Sequence, residues 1–490
     1  MAEIDRRDLL GTLALAGLAP AAGLAQEASK PSPPAAAAAP AIVGKDVTRT
    51  LARYVVGARY EDLPEPVRAE ARRTLLNWTG CAIGGSQHET VDIAVAALTP
   101  FSGPPQASVL GRGERFDIMH AALINGIASH VFDFDDTHLK TVIHPAGPVA
   151  SAILALAEMR PVNGREFLNA LVLGIEAECR IGNAVYPDHY DRGWHITGST
   201  GTFGAAVAAG KLLGLSEQQM IWAIGLAAAQ PVGLREMFGS MTKSFHPGRA
   251  AQNGLTAALL AQRNFTSSDA GLEGKSGWAN VLSTKRDYRE ITDGLGQRYE
   301  IAFNTYKPFA CGIVIHPAID ACIQLRNEQR LTADQVEKVD LFVHPLVLEL
   351  TGKKEPQTGL ETKFSVFFAA ALAIVKGSAG MRDFSDANAK DAQLQALARR
   401  VVATVDPAVK EAQVRARVTL KDGRTFDKRI EHAVGSIERP MSDADLDAKF
   451  RDLAGDVIPD ARIRDTIDAC RRVDTLASAA AIAGAATRPA

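Results

Sequence analysis

The stretch HVFDFDDTHLKTVIHPAG, residues 130–147, gathers His130, His138 and His144 with Asp133, Asp135 and Asp136, in a chain that has only 11 histidines. Three chemistries fit such a mixture. A metal could use it, because His130 and Asp133 stand one helical turn apart, as do Asp133 and Asp136, so their side chains could converge. Catalytic zinc, however, wants about three protein ligands in a fixed setting, and no HExxH or Cys/His set accompanies these residues. The aspartates could instead cap a helix end, with the histidines solvated or structural. The third reading is general acid/base work, for which Asp/His mixtures are suited near neutral pH.

Three later stretches bear on the choice. RGWHITGSTGTFGAA sets His195 just before a helix start, where the positive end of the helix dipole lowers its pKa or aims it at an anion. TKSFHPGRAAQNG gathers Lys243, His246 and Arg249 around a turn that opens a helix, a ready carboxylate site. TYKPFACGIVIHPAIDACIQL carries Lys307 and His316. Singly, each is better read as a surface charge or a cap. Together they imply a cationic site for an acidic ligand.

The elements that must position these residues are mostly helical up to about residue 300. DVTRTLARYVVGARY puts Val47, Leu51, Tyr54 and Val55 on one face, and PEPVRAEARRTLLNWTGCAIGG repeats the spacing. Further helices are predicted over 115–131, 146–159, 164–182, 199–213, 216–229 and 247–262. Gly201, Ala205 and Ala209 recur four apart, which lets helix backbones approach closely. After about residue 303 the period becomes two. KVDLFVHPLVLEL alternates through Val339, Leu341 and Val343, VVATVDP is a further strand, and VRARVTLKDGRTFDKRI places an Asp422-Gly423 turn between two alternating runs. ETKFSVFFAAALAIVKG between them is a helix. The chain then returns to helix at DADLDAKFRDLAG and over 460–475, and ends in an Ala-rich tail.

With 490 residues, 47% of them apolar and 22% charged, and a formal net charge of -2, the chain is an ordinary globular protein with about two domains and nothing that suggests a nucleic-acid partner. Its five scattered cysteines form no CxxC pair, so neither a disulfide framework nor a thiolate metal site is indicated. The first residues read as an export signal: Arg6-Arg7, a mildly apolar run from Leu9 to Leu24, and a small-x-small site at Gly23-Leu24-Ala25. Glu3, Asp5 and Asp8 outweigh the arginine pair, which favours the twin-arginine route over the general one. The expected location is periplasmic, or cytoplasmic if the signal does not function. The run is too short and Gly/Ala-rich for a spanning helix, so no stable membrane anchor is expected.

DFDDTH followed by HPAG, WHITGSTGTFGAA, KSFHPGRAAQNG with the later GLEGKSGW, YKPFACGIVIHPAID and ETKFS together resemble the MmgE/PrpD family, in the family's order and over about residues 46–475. That family includes 2-methylcitrate dehydratase, cis-aconitate decarboxylase and iminodisuccinate epimerase. The resemblance implies a mainly α fold: a large all-helical domain over 46–302, completed by 437–476, and a smaller α+β lid domain over 303–436. A signal peptide over 1–25 and a Pro/Ala-rich linker over 26–45 precede them, and a disordered tail over 477–490 follows. It also implies a homodimer, no cofactor, no metal, and a small polycarboxylate substrate bound between the domains.

Carried over by position, Asp133 and Thr137 match the family's DxxxT, His144 its HP histidine, His195 the histidine opening the glycine-rich helix, Lys243 its KxxH/G lysine and Lys307 its KPF lysine. His144 and His195 are then expected to move protons, Asp133 to tune a histidine, and Lys243 and Lys307 to neutralise developing charge. Thr137, His246, Arg249 and His316 are expected to hold substrate, while Asp135, Asp136, His130 and His138 are structural. HLKTVI, between Thr137 and His144, is one residue longer than the decarboxylase branch's spacing, and the residues after KPF also differ from that branch. A hydro-lyase is therefore expected ahead of an epimerase or a decarboxylase. An exported carboxylate-binding protein without catalysis is the reading from another class.

Overall fold

The computed structural model of the protein describes residues 45–488. The signal peptide expected over 1–25 and nearly all of the linker expected over 26–45 lie outside the described residues. Helices dominate up to residue 300, as the 3.6-residue period predicts. The Ile196–Leu212 helix is buried from Ile196 to Gly210 and packs on Gly164–Val185, Thr242–Gln262 and Ala146–Met159. Small residues permit this density. A Cβ at Gly254 would lie 2.5 Å from the Ala205 Cβ, and one at Gly126 would lie 2.3 Å from the Gly248 Cα. The second contact is where the Ile118–His130 and Thr242–Gln262 helices cross, and it brings the last residue of one beside the first turn of the other.

The helical part is completed by Asp443–Ala454 and Asp460–Arg471, which pack on Glu65–Gly85. Gly80 and Gly84 give room there for Phe450 and Leu453. Residues 477–490 were expected to be a disordered tail, but Ala480–Ala486 is a helix. Its Ile482, Ala483 and Ala486 form one apolar face, which is buried, and the Gly111 N–H donates to the Ala486 carbonyl at 2.8 Å. Among the described residues no helix is long and apolar enough to cross a membrane.

Two ribbons precede the main sheet. β1 (Ala107–Ser108) pairs with β2 (Arg115–Phe116), and β3 (Asp136–His138) pairs antiparallel with β4 (Asn304–Tyr306). The second ribbon ties the loop after the Ile118–His130 helix to the start of the C-terminal part. The main sheet contains β5 (Val336–Val343), β6 (Val401–Val405), β7 (Val414–Leu420) and β8 (Thr425–Ile430), in the order β6-β5-β7-β8. β5 and β6 are parallel and the other pairs antiparallel. The β7–β8 turn runs through Asp422-Gly423, with Gly423 at φ 88, a left-handed conformation that glycine adopts without strain. Val336, Val339, Leu341 and Val343 point inward, with Val414, Ala416, Val418 and Leu420 beside them. They share one apolar cluster with the His316–Gln329 and Val366–Lys376 helices.

Candidate active site

The Ile118–His130 helix ends at His130, and the chain turns sharply at Asp133, whose φ is 52. Aspartate is one of the few non-glycine residues that takes this conformation readily. Three buried lysines hold the turn by consecutive carbonyls. Lys363 Nζ donates to Phe132 O, Lys307 Nζ to Asp133 O at 3.0 Å, and Lys449 Nζ to Phe134 O at 2.6 Å. So held, the Asp133 carboxylate accepts through one oxygen, Oδ1, from Lys307 Nζ at 2.7 Å and Lys243 Nζ at 2.9 Å. Burial works against its ionisation, but the Lys243 and Lys307 charges outweigh that and hold its pKa well below the usual carboxylate range.

The two ammonium groups are not equivalent. Burial lowers both, yet Lys307, with two bonds to Asp133, ends raised, whereas Lys243, with one bond and the Lys307 charge nearby, ends lowered. Lys243 also donates to His130 Nε2 at 3.0 Å, and His130 Nδ1 donates to Asp135 Oδ2 at 2.7 Å. The helix crossing at Gly126 and Gly248 sets up this chain. His130 and Asp135, expected to be merely structural, therefore position Lys243. Asp136 and His138 are structural: Asp136 Oδ2 accepts from Asn304 Nδ2 at 2.8 Å and from the Ala146 N–H at 3.2 Å, and His138 Nε2 lies 3.1 Å from Glu300 Oε2.

His144 immediately precedes Pro145, which caps the Ala146–Met159 helix, and its own N–H donates to Thr197 Oγ1 at 3.1 Å. Its Nδ1 lies 2.7 Å from the Asp136 carbonyl oxygen and 3.3 Å from Thr137 Oγ1. A carbonyl can only accept, so the proton of the neutral ring sits on Nδ1 and the Nε2 lone pair is free. Burial, followed by the Lys307, His130 and Lys243 charges against the opposing Asp135, brings the His144 pKa down to about 3.

His195 is the N-cap residue of the Ile196–Leu212 helix, and its Nδ1 lies 2.8 Å from His246 Nδ1. Phe238 packs edge-on against the His195 ring at 5.0 Å between centroids. Gly233, at φ 100, is required here, because a Cβ would lie 2.9 Å from His246 Cγ and 3.3 Å from His195 Cβ. Burial, reinforced by Lys243, holds His195 well below its ordinary pKa, and burial brings His246 down to about 4.

These groups enclose a cavity of about 60 Å³, with Asp133, Thr137, His144, His195, Lys243 and Lys307 on one wall and Val142, Ile313, Val314, Leu350 and Phe364 among those opposite. Three helices begin at this wall: Ala146–Met159, Ile196–Leu212 and Thr242–Gln262. Each contributes roughly half a positive charge at its N-terminus, which adds to the lysines in attracting an anion.

His130, His144 and His195, and likewise His130, Asp133, Asp135 and His144, bring ligand-type atoms within 4.8 Å of one another. These donors fit a metal poorly. Both His130 nitrogens are engaged, and a cation would have to displace the Lys243 ammonium group from His130 and Asp133.

Residues 49–291 match the MmgE/PrpD N-terminal domain and residues 309–472 the MmgE/PrpD C-terminal domain. The chain belongs to the MmgE/PrpD family. Among MmgE/PrpD relatives, it is 26% identical to cis-aconitate decarboxylase of Aspergillus terreus over 88% of this chain and 94% of that one. It is 28% identical to cis-aconitate decarboxylase of Homo sapiens over 83% of this chain and 87% of that one. It is 23% identical to 2-methylcitrate dehydratase of Salmonella typhimurium over 71% of this chain and 76% of that one. These relatives are lyases, and the family fold, mainly α with a smaller α+β part, is the one seen here.

Three residues expected to hold substrate lie elsewhere. Arg249 is exposed and donates to Gln252 Oε1 at 2.6 Å, because it sits on the outer face of its helix. His316 is buried, with Nε2 3.4 Å from the Cys311 carbonyl oxygen, and lines a neighbouring cavity. His246 stands behind His195 and does not line the pocket. Conversely, Lys363 and Lys449 were not among the expected site residues. Lys363 lies in the ETKFS motif, but a lysine that acts on a backbone carbonyl leaves no spacing signal.

Proposed function

We propose that the protein is a lyase that breaks a bond next to a carboxylate of a small polycarboxylate, and that it is a hydro-lyase. The observation that carries this is the His144 Nδ1 contact with the Asp136 carbonyl, which leaves Nε2 as the free base of a residue that lines the same cavity as Lys243 and Lys307. A substrate carboxylate binds at the two ammonium groups and the helix N-termini, and Thr137 offers it a hydroxyl. His144 Nε2 takes the proton from the adjacent carbon, and the electron pair moves into the carboxylate, where Lys243 and Lys307 stabilise the second negative charge.

The pair then forms the alkene as the carbon–oxygen bond breaks. The departing hydroxide takes a proton from His195 and leaves as water. Burial and the nearby Lys243 charge hold His195 neutral before substrate arrives. The arriving anion opposes the nearby lysine charge and lets His195 take up a proton, so the acid is formed only in the complex. The ring centroids of His144 and His195 are 6.4 Å apart, which lets them act on neighbouring substrate atoms.

A second reading is decarboxylation, favoured by the relatives named cis-aconitate decarboxylase at 26% and 28% identity. There the carbon–carbon bond breaks, carbon dioxide leaves, and His195 protonates the carbon. Incubation with candidate acids in deuterated water separates the readings. Deuterium exchange beside the carboxylate with a new alkene absorbance and no gas supports dehydration, and released carbon dioxide supports decarboxylation. Exchange with inverted configuration means epimerisation. Binding with neither exchange nor product overturns catalysis, and leaves a carboxylate-binding protein.

A further inference from the structure

The catalytic cavity, at about 60 Å³, has room for a carboxylate and the reacting carbons and little else. The rest of a substrate must extend into one of two neighbours. Outward, past Phe238, Leu350 and Phe364, lies a solvent-facing cavity of about 880 Å³. Its charged lining consists of Asp191, Glu236, Glu349 and Glu361 against Arg192, Arg235 and Lys353, so it offers no excess of positive charge. Arg235 is already paired with Glu349, and Lys353 with Glu361 at 2.7 Å.

On another side, the site meets a second cavity of about 130 Å³ at Val142, Ile313 and Val314, which line both. Apart from Glu411, at its exposed outer end, no charged residue among those described lines this cavity, and the His316 ring there is committed to the Cys311 carbonyl. An apolar cavity of roughly 150 Å³ is large enough to hold a benzene ring. Val142, at the boundary, belongs to the HLKTVI segment and has a φ of 54, a conformation that a β-branched residue seldom adopts.

Among the described residues, the lysines and arginines that line the catalytic cavity are Lys243 and Lys307, and both share the Asp133 carboxylate. Toward the apolar wall a third carboxylate would carry the desolvation penalty of an unpaired buried charge, and toward the solvent-facing rim it would stay in water with no excess of positive charge to hold it. Resting on the carboxylate-lyase reading above, we infer that the protein engages at most two carboxylates of its substrate, together with an apolar arm, alkyl or aryl, that lies in the Val142–Ile313–Val314 cavity.

The test is calorimetric titration of the full chain with three unreactive acids: succinate, 2-benzylsuccinate and propane-1,2,3-tricarboxylate. Burying the arm is worth roughly 10- to 100-fold in affinity, so 2-benzylsuccinate is expected to bind that much more tightly than succinate. The tricarboxylate is expected to bind no more tightly than succinate. Ala433→Leu, which fills the second cavity without touching the catalytic one, should remove the benzyl advantage and leave succinate binding unchanged. Ala412→Trp, at the exposed end of the same cavity, should also reduce the advantage without endangering the fold. Tightest binding by the tricarboxylate, or a benzyl advantage that survives both variants, overturns the inference and leaves the lyase reading intact. Failure of all three acids to bind overturns both.

Discussion

His195 and His246 meet nitrogen to nitrogen, Nδ1 to Nδ1, at 2.8 Å, so one proton lies between them. Burial holds both rings neutral near pH 7. When an anion arrives and His195 becomes an imidazolium, its Nδ1–H has an acceptor waiting in His246 and its Nε2–H is left for the substrate. Carboxylate binding should therefore take up about one proton near pH 7, read by calorimetry in buffers of different ionisation enthalpy. His246→Phe keeps the bulk and removes the acceptor. It should lose the proton uptake and lower kcat by roughly 100-fold, and His246→Asn should restore part of both. Unchanged uptake in the Phe variant would remove His246 from this role.

The tautomer of His144 leads to a pH prediction. Its pKa of about 3 means that the base is already unprotonated throughout the neutral range. No rising limb centred near the ordinary histidine value of about 6.5 should appear in kcat/KM. Since the acid is loaded from solution on binding, kcat/KM should instead fall with rising pH, by up to about tenfold per unit between about pH 6 and 8. A rise through pH 6.5 would assign the base to a group other than His144.

Asp133 holds two ammonium groups together on one oxygen in a fully buried site. Asp133→Asn removes the carboxylate that both cations bond directly and leaves them only the more distant Asp135. Removing one partner from a buried ion pair costs about 3–5 kcal/mol, and urea unfolding should register a loss of that order. Lys243, the cation already lowered, is expected to release its proton first, which weakens carboxylate binding as well.

Which parts of this site the sequence made legible follows from how each residue acts. Asp133, Thr137, His144, His195, Lys243 and Lys307 act through their own side chains and fall in ordered motifs, and all six line one cavity. His130 and Asp135 read as structural in the sequence, and their positioning of Lys243 is hidden because spacing shows nothing of a partner on another helix. Their contact with Lys243 comes from the helix crossing at Gly126 and Gly248, more than 100 residues apart in sequence. Arg249 could have been placed correctly: six residues after Lys243 at about 100° per residue puts it on a different face of the helix. The change of period near residue 303 does mark where helices give way to the mixed sheet. The tail was misread because alanine composition hides how little apolar surface a short helix needs in order to dock.

Arg249 supplies a control. Because it is exposed and bonded to Gln252, Arg249→Ala should change carboxylate affinity and kcat by no more than about twofold. Lys307→Met removes a charge-assisted donor from the pocket and should weaken binding roughly 10- to 100-fold. Equal losses in the two variants would mean that long-range charge, and not contact, governs affinity.

Stability should fall as the solution is acidified below about pH 6.5. Eight histidines have lowered values in the fold: His88, His130, His138, His144, His189, His195, His246 and His316. Burial is the leading cause for each, with His144 and His316 brought to about 3 and His189 and His246 to about 4. A group whose folded pKa lies below its unfolded value contributes fully above the unfolded pKa, about 6.5 for histidine, and that contribution is lost as the pH falls toward the folded value. Four carboxyls oppose this. Burial raises Glu70, Asp136, Glu176 and Glu178, with Asp136 and Glu176 near 7, so these gain relative stability over the same acidification. The histidines outnumber them, and the unfolded chain binds more protons than the fold between about pH 6.5 and 4.5. The apparent Tm from scanning calorimetry is expected to decline steadily from pH 7 to 5, and saturating 2-benzylsuccinate should raise it at both ends. A Tm that rises on acidification would show that the buried carboxyls, not the histidines, dominate the linkage.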